Sequence, residues 1–218
     1  MNYQLAMERI FAENSDTAPT LLLHSCCAPC SSSVLETLCA HFSVTVDYYN
    51  PNIDPPAEYH RRAAEQTRFV AETQALYPYG VLSAAATAEA DYDPQEFYTA
   101  VRGLEDVAEG GARCFACYRL RMQHTAKLAA TEGFAFFTTT LSVSPHKNAA
   151  KLNELGISLE REYGVRFLPS DFKKKNGFQR STALSAQYGL YRQDYCGCVF
   201  SRRERGLCSN SAYTNLTK

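Results

Sequence analysis

Net charge, long apolar runs and repetition are all scarce in this sequence. Twenty-two lysines and arginines face 23 aspartates and glutamates, a formal charge of -1 across 218 residues. That balance provides no global basic field and excludes strong nonspecific attraction to nucleic acid, so any such contact must be local. No apolar run approaches the roughly 18 residues of a membrane span. The segment Met1 to Asn14 carries Glu8 and Glu13 and no long apolar stretch, so no secretion signal is expected. No internal repeat or low-complexity tract is present. Together these absences point to a cytoplasmic chain without a membrane partner.

Cysteine, by contrast, is abundant: there are nine, and seven fall into three tight groups, Cys26-Cys27-Cys30, Cys114-Cys117 and Cys196-Cys198. Grouped thiols in a reducing compartment usually hold metal or carry electrons, because structural disulfides do not persist there. Cys39 and Cys208 stand alone and read as ordinary packing residues. At 45% hydrophobic residues the chain can bury one sizeable core. The expected organisation is a single domain over 1–218, with a helical N-terminal extension (1–18), a helical C-terminal extension and a loose tail (205–218).

Strand and helix signals alternate along the chain. Thr20–His24 is a short apolar strand that runs into Ser25-Cys26-Cys27-Ala28-Pro29-Cys30, followed by helix over Ser31–Cys39, with Pro29 suited to a first helical turn. Further strands are expected at Phe42–Tyr49, Gly80–Ala84, Phe134–Leu141 and Val165–Leu168. Helices are expected at Pro56–Tyr77, Asp93–Leu104, Cys114–Thr131, Asn148–Gly164 (with a weak spot at Gly156) and Ser181–Tyr191. This alternation specifies an α/β fold: a mainly parallel sheet with helices on both faces, in a nucleotide-binding, Rossmann-like architecture.

In such folds ligands sit beyond the carboxyl ends of the strands, where phosphate is often cradled at a helix N-terminus. Cys26, Cys27 and Cys30 occupy that position, and the helix terminus favours their thiolate forms. Cys114-Phe-Ala-Cys117 is, alone, either a thioredoxin-like dithiol or half of a zinc site. Combined with the first group it suggests a four-cysteine centre. Zinc and 4Fe–4S clusters both take four thiolates and spacing does not separate them, although the surplus cysteines favour iron–sulfur. A disulfide across the single residue of Cys196-Gly197-Cys198 would close a strained, readily reduced ring, suited to an electron relay. Two unrelated thiols in a glycine turn, or extra metal ligands, are the alternatives.

Seven segments together resemble one family. They are His24-Ser-Cys-Cys-Ala-Pro-Cys30, Tyr49-Asn-Pro-Asn-Ile53, Arg113-Cys-Phe-Ala-Cys-Tyr-Arg-Leu120, Thr139-Thr-Leu141, Ser144-Pro-His-Lys147, Asp171-Phe-Lys-Lys174 and Leu190-Tyr-Arg-Gln-Asp-Tyr-Cys-Gly-Cys198. They are similar, in order, to epoxyqueuosine reductases of the QueH type over about residues 20–203. The resemblance implies two-electron deoxygenation of epoxyqueuosine at the wobble position of tRNA, the last step of queuosine synthesis. It also implies a 4Fe–4S cluster on Cys26, Cys27, Cys114 and Cys117, and a redox-active Cys196–Cys198 disulfide. An additional iron is implied beside the cluster, for which Cys30 and a nearby oxygen donor are candidate ligands. The electron donor is not identified by the sequence.

Other residues have two readings each. His24, at the end of a strand beside the thiols, is either a proton donor or metal outer-shell partner, or a buried hydrogen-bonded histidine. Tyr48 and Tyr49 either stack on a flipped base or belong to the core. Lys147 and the run Lys173, Lys174 and Lys175 could meet tRNA phosphates. Arg202, Arg203 and Arg205 form a second basic segment, and a solvated face is the alternative for each run. Two competing functions are an iron–sulfur tRNA thiolase and a zinc-stabilised binding module. The thiolase needs a Ser-Gly-Gly-x-Asp-Ser loop, which this sequence lacks; the zinc module leaves Cys196 and Cys198 without a task.

Overall fold

The computed structural model describes residues 2–79 and 92–207, and the backbone of 81–83. Gly80 and Ala84, at the ends of one expected strand, lie outside the described residues, as do Cys208 and most of the expected tail.

The central strand is β1 (Thr20–His24), whose Leu21, Leu22 and Leu23 are fully buried. Continuous apolar character, without polar alternation, marks a parallel strand covered on both faces. β2 (Ser43–Asp47) pairs along one side of it, with His24 opposite Asp47, and β4 (Phe136–Thr139) along the other, with His24 opposite Thr139. β3 (Val81–Ser83) lies outside β2, and β5 (Arg166–Phe167) outside β4, in the order β3-β2-β1-β4-β5 with every pairing parallel. The chain winds outward from β1 to β3 and then crosses back to β4. The reversal between β1 and β4 is where this topology opens a ligand crevice.

Two apolar layers cover the sheet. On one face α2 (Ala28–Leu38) and α3 (Pro56–Thr73) supply Val34, Leu35, Leu38, Phe69 and Val70 to a core that includes Phe42 and Phe136. The N-terminal helix α1 (Tyr3–Glu13) closes its edge with Met7 and Phe11, whose ring stacks on His41 at 4.1 Å. On the other face α5 (Ala112–Thr131) and α6 (Ala149–Tyr163) pack Tyr118, Met122, Ala126, Leu152 and Leu159 against Leu22, Phe137 and Phe167. Two short helices, α4 (Pro94–Ala100) and α8 (Val199–Glu204), share a smaller cluster with Cys117 and Cys198. α7 (Gly177–Gln187) packs on α2, where the Ser181 hydroxyl donates to the Pro29 carbonyl at 2.6 Å. No helix among the described residues is long and apolar enough to cross a membrane.

Several boundaries differ from the pattern in the sequence, for local reasons. α2 starts at Ala28, with Cys27 as its N-cap and Pro29 in the first turn. β4 stops at Thr139, two residues before its apolar run ends, because the Thr139 side chain accepts the Leu141 N–H at 3.2 Å and starts a 3-10 turn over Thr140–Val143. α7 begins four residues earlier than expected and ends at Gln187. Gly156 is not a weak spot in α6. A Cβ there would lie 2.4 Å from the Phe167 ring carbons, so the missing side chain is what lets the helix close on β5. Overpacking of this kind costs about 1–3 kcal/mol. Gly156→Ala should lower unfolding stability by about that amount, read as a reduced urea midpoint at unchanged slope; an unchanged midpoint would contradict the close approach.

Candidate metal and thiol centre

The first cysteine group stands at the β1–β4 crevice. The Cys26 N–H donates to Thr140 Oγ1 at 3.2 Å, and that hydroxyl lies 3.4 Å from Cys26 Sγ, so the residue following β4 positions the first cysteine beyond β1. The sulfurs of Cys26, Cys27 and Cys30 all lie within 4.8 Å of one another, with Cys26 and Cys27 at 3.8 Å. Polar side chains behind them hold the loop. Gln66 Oε1 accepts from both Ser25 and Ser31 at 2.7 Å, Asn50 donates to the Ser25 carbonyl at 2.9 Å, and Gln193 Nε2 donates to Cys27 Sγ at 3.1 Å. Hydrogen bonds from Cys27 and Cys30 hold the Cys26 thiol well below its ordinary pKa against the effect of burial, and the Arg121 charge assists. The Cys26 bond pushes Cys27 up to about 12, and Cys30 rises well above the usual thiol value for the same reason. The three sulfurs share hydrogen bonds in one compact group, a donor set that suits a soft metal ion, whose binding would displace the thiol protons.

Cys114 and Cys117 form a separate buried pair on the first turns of α5; among the described residues only Cys26, Cys27 and Cys30 make a compact group of three. The Gly110 N–H donates to Cys114 Sγ at 3.2 Å, and burial raises both thiols. One turn further on, Arg121 is 2% exposed. Its Nη2 donates to Asn50 Oδ1 at 2.5 Å, its Nη1 lies 4.0 Å from Cys117 Sγ, and its Nε has no partner. Burial works against that charge, yet the sulfurs of Cys117, Cys26 and Cys196 outweigh it and raise the guanidinium's pKa. The compact trio Cys26, Cys27 and Cys30 offers the soft donor set of a metal–thiolate site, and Arg121 is the cation that interacts with both it and the Cys117 sulfur.

Cys196 and Cys198 are both free thiols. Lys147 Nζ lies 2.8 Å from Cys196 Sγ and 3.8 Å from Glu109 Oε1. Burial alone would lower the lysine's pKa, but the Cys196 sulfur and the Tyr118 oxygen outweigh it and hold it well above the usual value. Burial, reinforced by Cys196, pushes Cys198 up to about 12. The loop between the thiols is clamped by Asp54 and by Arg62 of α3: the Asp54 N–H donates to the Gly197 carbonyl at 2.9 Å, and Arg62 Nη1 donates to the Cys196 carbonyl at 3.3 Å. Gly197 adopts φ +129, and a Cβ there would lie 3.0 Å from Ile53 Cγ1, so only glycine fits without strain. A cavity of about 270 Å³ joins the elements, with Cys26, Cys30, Arg121, Lys147, Gln193 and Cys196 in its wall.

Other candidates fall elsewhere. His24 is fully buried, with Nδ1 2.9 Å from Thr139 Oγ1 and Nε2 3.2 Å from the Tyr49 carbonyl. A carbonyl only accepts, so Nε2 carries the proton and Nδ1 takes the threonine's hydrogen. Burial, then the Arg121 charge, lowers its pKa to about 3. The residue is a neutral strut and not a proton donor to the cavity. Tyr48 packs on Tyr59 in the core, and the Tyr49 ring stacks on His124 at 3.8 Å while its hydroxyl donates to Glu96, so neither ring is available to a base. Lys147 is turned inward to a thiol, away from any surface run. Lys173 pairs with Asp171 at 3.1 Å, Lys175 with Glu8, and Lys174 is exposed. Arg202 faces Asp54 at 3.7 Å, whereas Arg205 borders the cavity. Cys39 is fully buried in the apolar core.

Arg121, Gln66 and Gln193 were not visible as site residues from spacing. Arg121 carried a signal nonetheless, since it lies on the buried stripe Cys114, Cys117, Tyr118, Met122 and Thr125 of α5, where a charge needs a partner.

A doubly wound sheet with thiols at its switch point, in place of a phosphate loop, defines an α/β protein built for metal and redox chemistry. The chain belongs to the QueH family: the family described as epoxyqueuosine reductase QueH matches residues 21–204. Proteins of that description are 42% identical to it in Streptococcus pyogenes, over 95% of this chain and 80% of the relative. In Staphylococcus epidermidis the identity is 40% over 95% and 87%, and in Thermotoga maritima 36% over 85% and 92%.

Serine at Cys26, Cys27 or Cys30 should sharply reduce the iron or zinc retained per chain after desalting, measured by plasma emission, while Cys39→Ser should not. Equal retention in all four variants would remove the trio from the metal site.

Proposed function

We propose that this chain is an epoxyqueuosine reductase that removes the epoxide oxygen of epoxyqueuosine in tRNA and leaves a cyclopentene, the last step of queuosine synthesis, in the cytoplasm. The observation that carries the reading, beside family membership, is the single cavity whose wall joins the Cys26–Cys30 thiols to Cys196 and Lys147. Deoxygenation consumes two electrons and two protons and releases the oxygen as water. Closing the Cys196–Cys198 dithiol to a disulfide releases two electrons and two protons, which matches that demand, and an external reductant then reopens the pair. Lys147, the ammonium beside Cys196, holds a proton at the cavity wall, and the Gly197 loop between the two thiols is clamped by Asp54 and Arg62.

A 4Fe–4S cluster on Cys26, Cys27, Cys114 and Cys117 would supply single electrons there, and an additional iron, with Cys30 as one ligand, a Lewis acid for the departing oxygen. The fit rests on the donor chemistry: clustered thiols at a helix N-terminus with buried cations beside them. Lys174 and its neighbours Lys173 and Lys175, with Arg205 at the cavity rim, are the basic groups that support a local contact to tRNA phosphates.

Anaerobically reconstituted protein should convert epoxyqueuosine to queuosine in tRNA, scored by nucleoside mass spectrometry, and Cys196→Ser should fall to about one turnover or fewer. Absence of product from the loaded wild-type protein would overturn the assignment. Full multiple-turnover rate in Cys196→Ser would remove the dithiol from the electron path.

A further inference from the structure

A buried charge persists only when it is paired. Among the described residues two of the deepest arginines obey this with carboxylates: Arg62 meets Glu58 at 2.7 Å and Arg113 meets Glu204 at 2.7 Å. Arg121, equally buried, has no salt bridge to a carboxylate among the described residues; its hydrogen-bond partners are a neutral amide, Asn50, and the Cys117 sulfur, and its Nε, like one nitrogen of each of the other two, is unpartnered. It also stands in the wall of the cavity that Cys26 lines. The cation is therefore placed beside both cysteine groups, with a donor to spare and with the sulfurs of Cys117, Cys26 and Cys196 as the charges that favour it most.

We propose that Arg121 is the positioning residue of the thiol centre: its fixed positive charge would compensate the negative charge of a metal–thiolate group held by these cysteines, and so set how easily that group accepts an electron. The proposal rests on the four-thiolate reading above. A cluster with four thiolates is anionic, and reduction makes it more so; a buried guanidinium held beside it stabilises the reduced form more than the oxidised one. Asn50 fixes the orientation by occupying one nitrogen, which leaves the others for sulfur.

The test compares the wild-type protein, Arg121→Gln, Arg121→Lys and Arg119→Gln, all reconstituted with iron and sulfide. Arg119 serves as control because it is a surface residue on the same helix, paired with Glu162. The potential is read by spectroelectrochemical titration. Arg121→Gln should disfavour reduction at least about tenfold, which is 59 mV to the negative side for a one-electron couple. Arg121→Lys should recover most of that shift, and Arg119→Gln should match wild type. A loaded Arg121→Gln at the wild-type potential overturns the proposal. If glutamine prevents cluster retention, lysine decides: retention by Arg121→Lys at near the wild-type potential supports the charge role, whereas loss in both variants with wild-type circular dichroism assigns Arg121 to packing geometry and overturns it. A wild-type protein that takes up no cluster refutes the four-thiolate reading itself, and the proposal with it, whatever the variants do.

Discussion

The carboxamide of Asn50 is the contact on which the site depends. Its nitrogen donates to the Ser25 carbonyl, immediately before the first cysteines, and its oxygen accepts from Arg121, one turn beyond Cys117. The residues that follow it carry the Asp54 N–H to which the Gly197 carbonyl is bound. Two segments far apart in sequence, each bearing one cysteine group, are thus referred to one buried side chain just beyond β2, and the third is held by the backbone a few residues further on. Neither aspartate nor leucine could replace it, since the first lacks the donor and the second both partners, and each would leave buried polar groups unsatisfied at about 1–3 kcal/mol apiece.

The electrostatics follow from that arrangement. The chain is close to neutral as a whole, but Arg121, Lys147 and Arg62 are buried beside sulfurs. Where other doubly wound proteins use backbone N–H groups and a helix N-terminus to hold phosphate, this one places cysteine thiols at the same crevice and the same helix end, and adds internal cations. A low-dielectric setting makes each of these charges count for more than it would at the surface. It also explains why no extensive basic surface is needed for the site's own chemistry.

Much of the architecture was legible in the sequence because it depends on burial alone. The unbroken Leu21-Leu22-Leu23 run marks a strand buried on both faces, and Pro29 marks the first turn of α2. The cysteine groups were legible for a similar reason: their spacing places them at helix starts. What remained hidden depends on direction and on distant partners. Lys147 reads as a surface cation until Cys196, 49 residues later, is seen beside it. His24, Tyr48 and Tyr49 are chemically suited to catalysis or stacking, and only the neighbours Thr139, Tyr59 and His124 show that their groups are already engaged. Gly156 appears helix-weakening by propensity, while its position is dictated by a ring on β5.

The proposed function requires that the thiols at the switch point hold an iron–sulfur centre able to pass electrons into the cavity. The most direct measurement is anaerobic purification followed by absorption spectroscopy with dithionite, alongside iron, sulfide and zinc analysis of the same sample. A brown protein that bleaches on reduction, with iron and sulfide in about equal amounts as a 4Fe–4S cluster requires, is the expected result. A colourless protein holding stoichiometric zinc would contradict it.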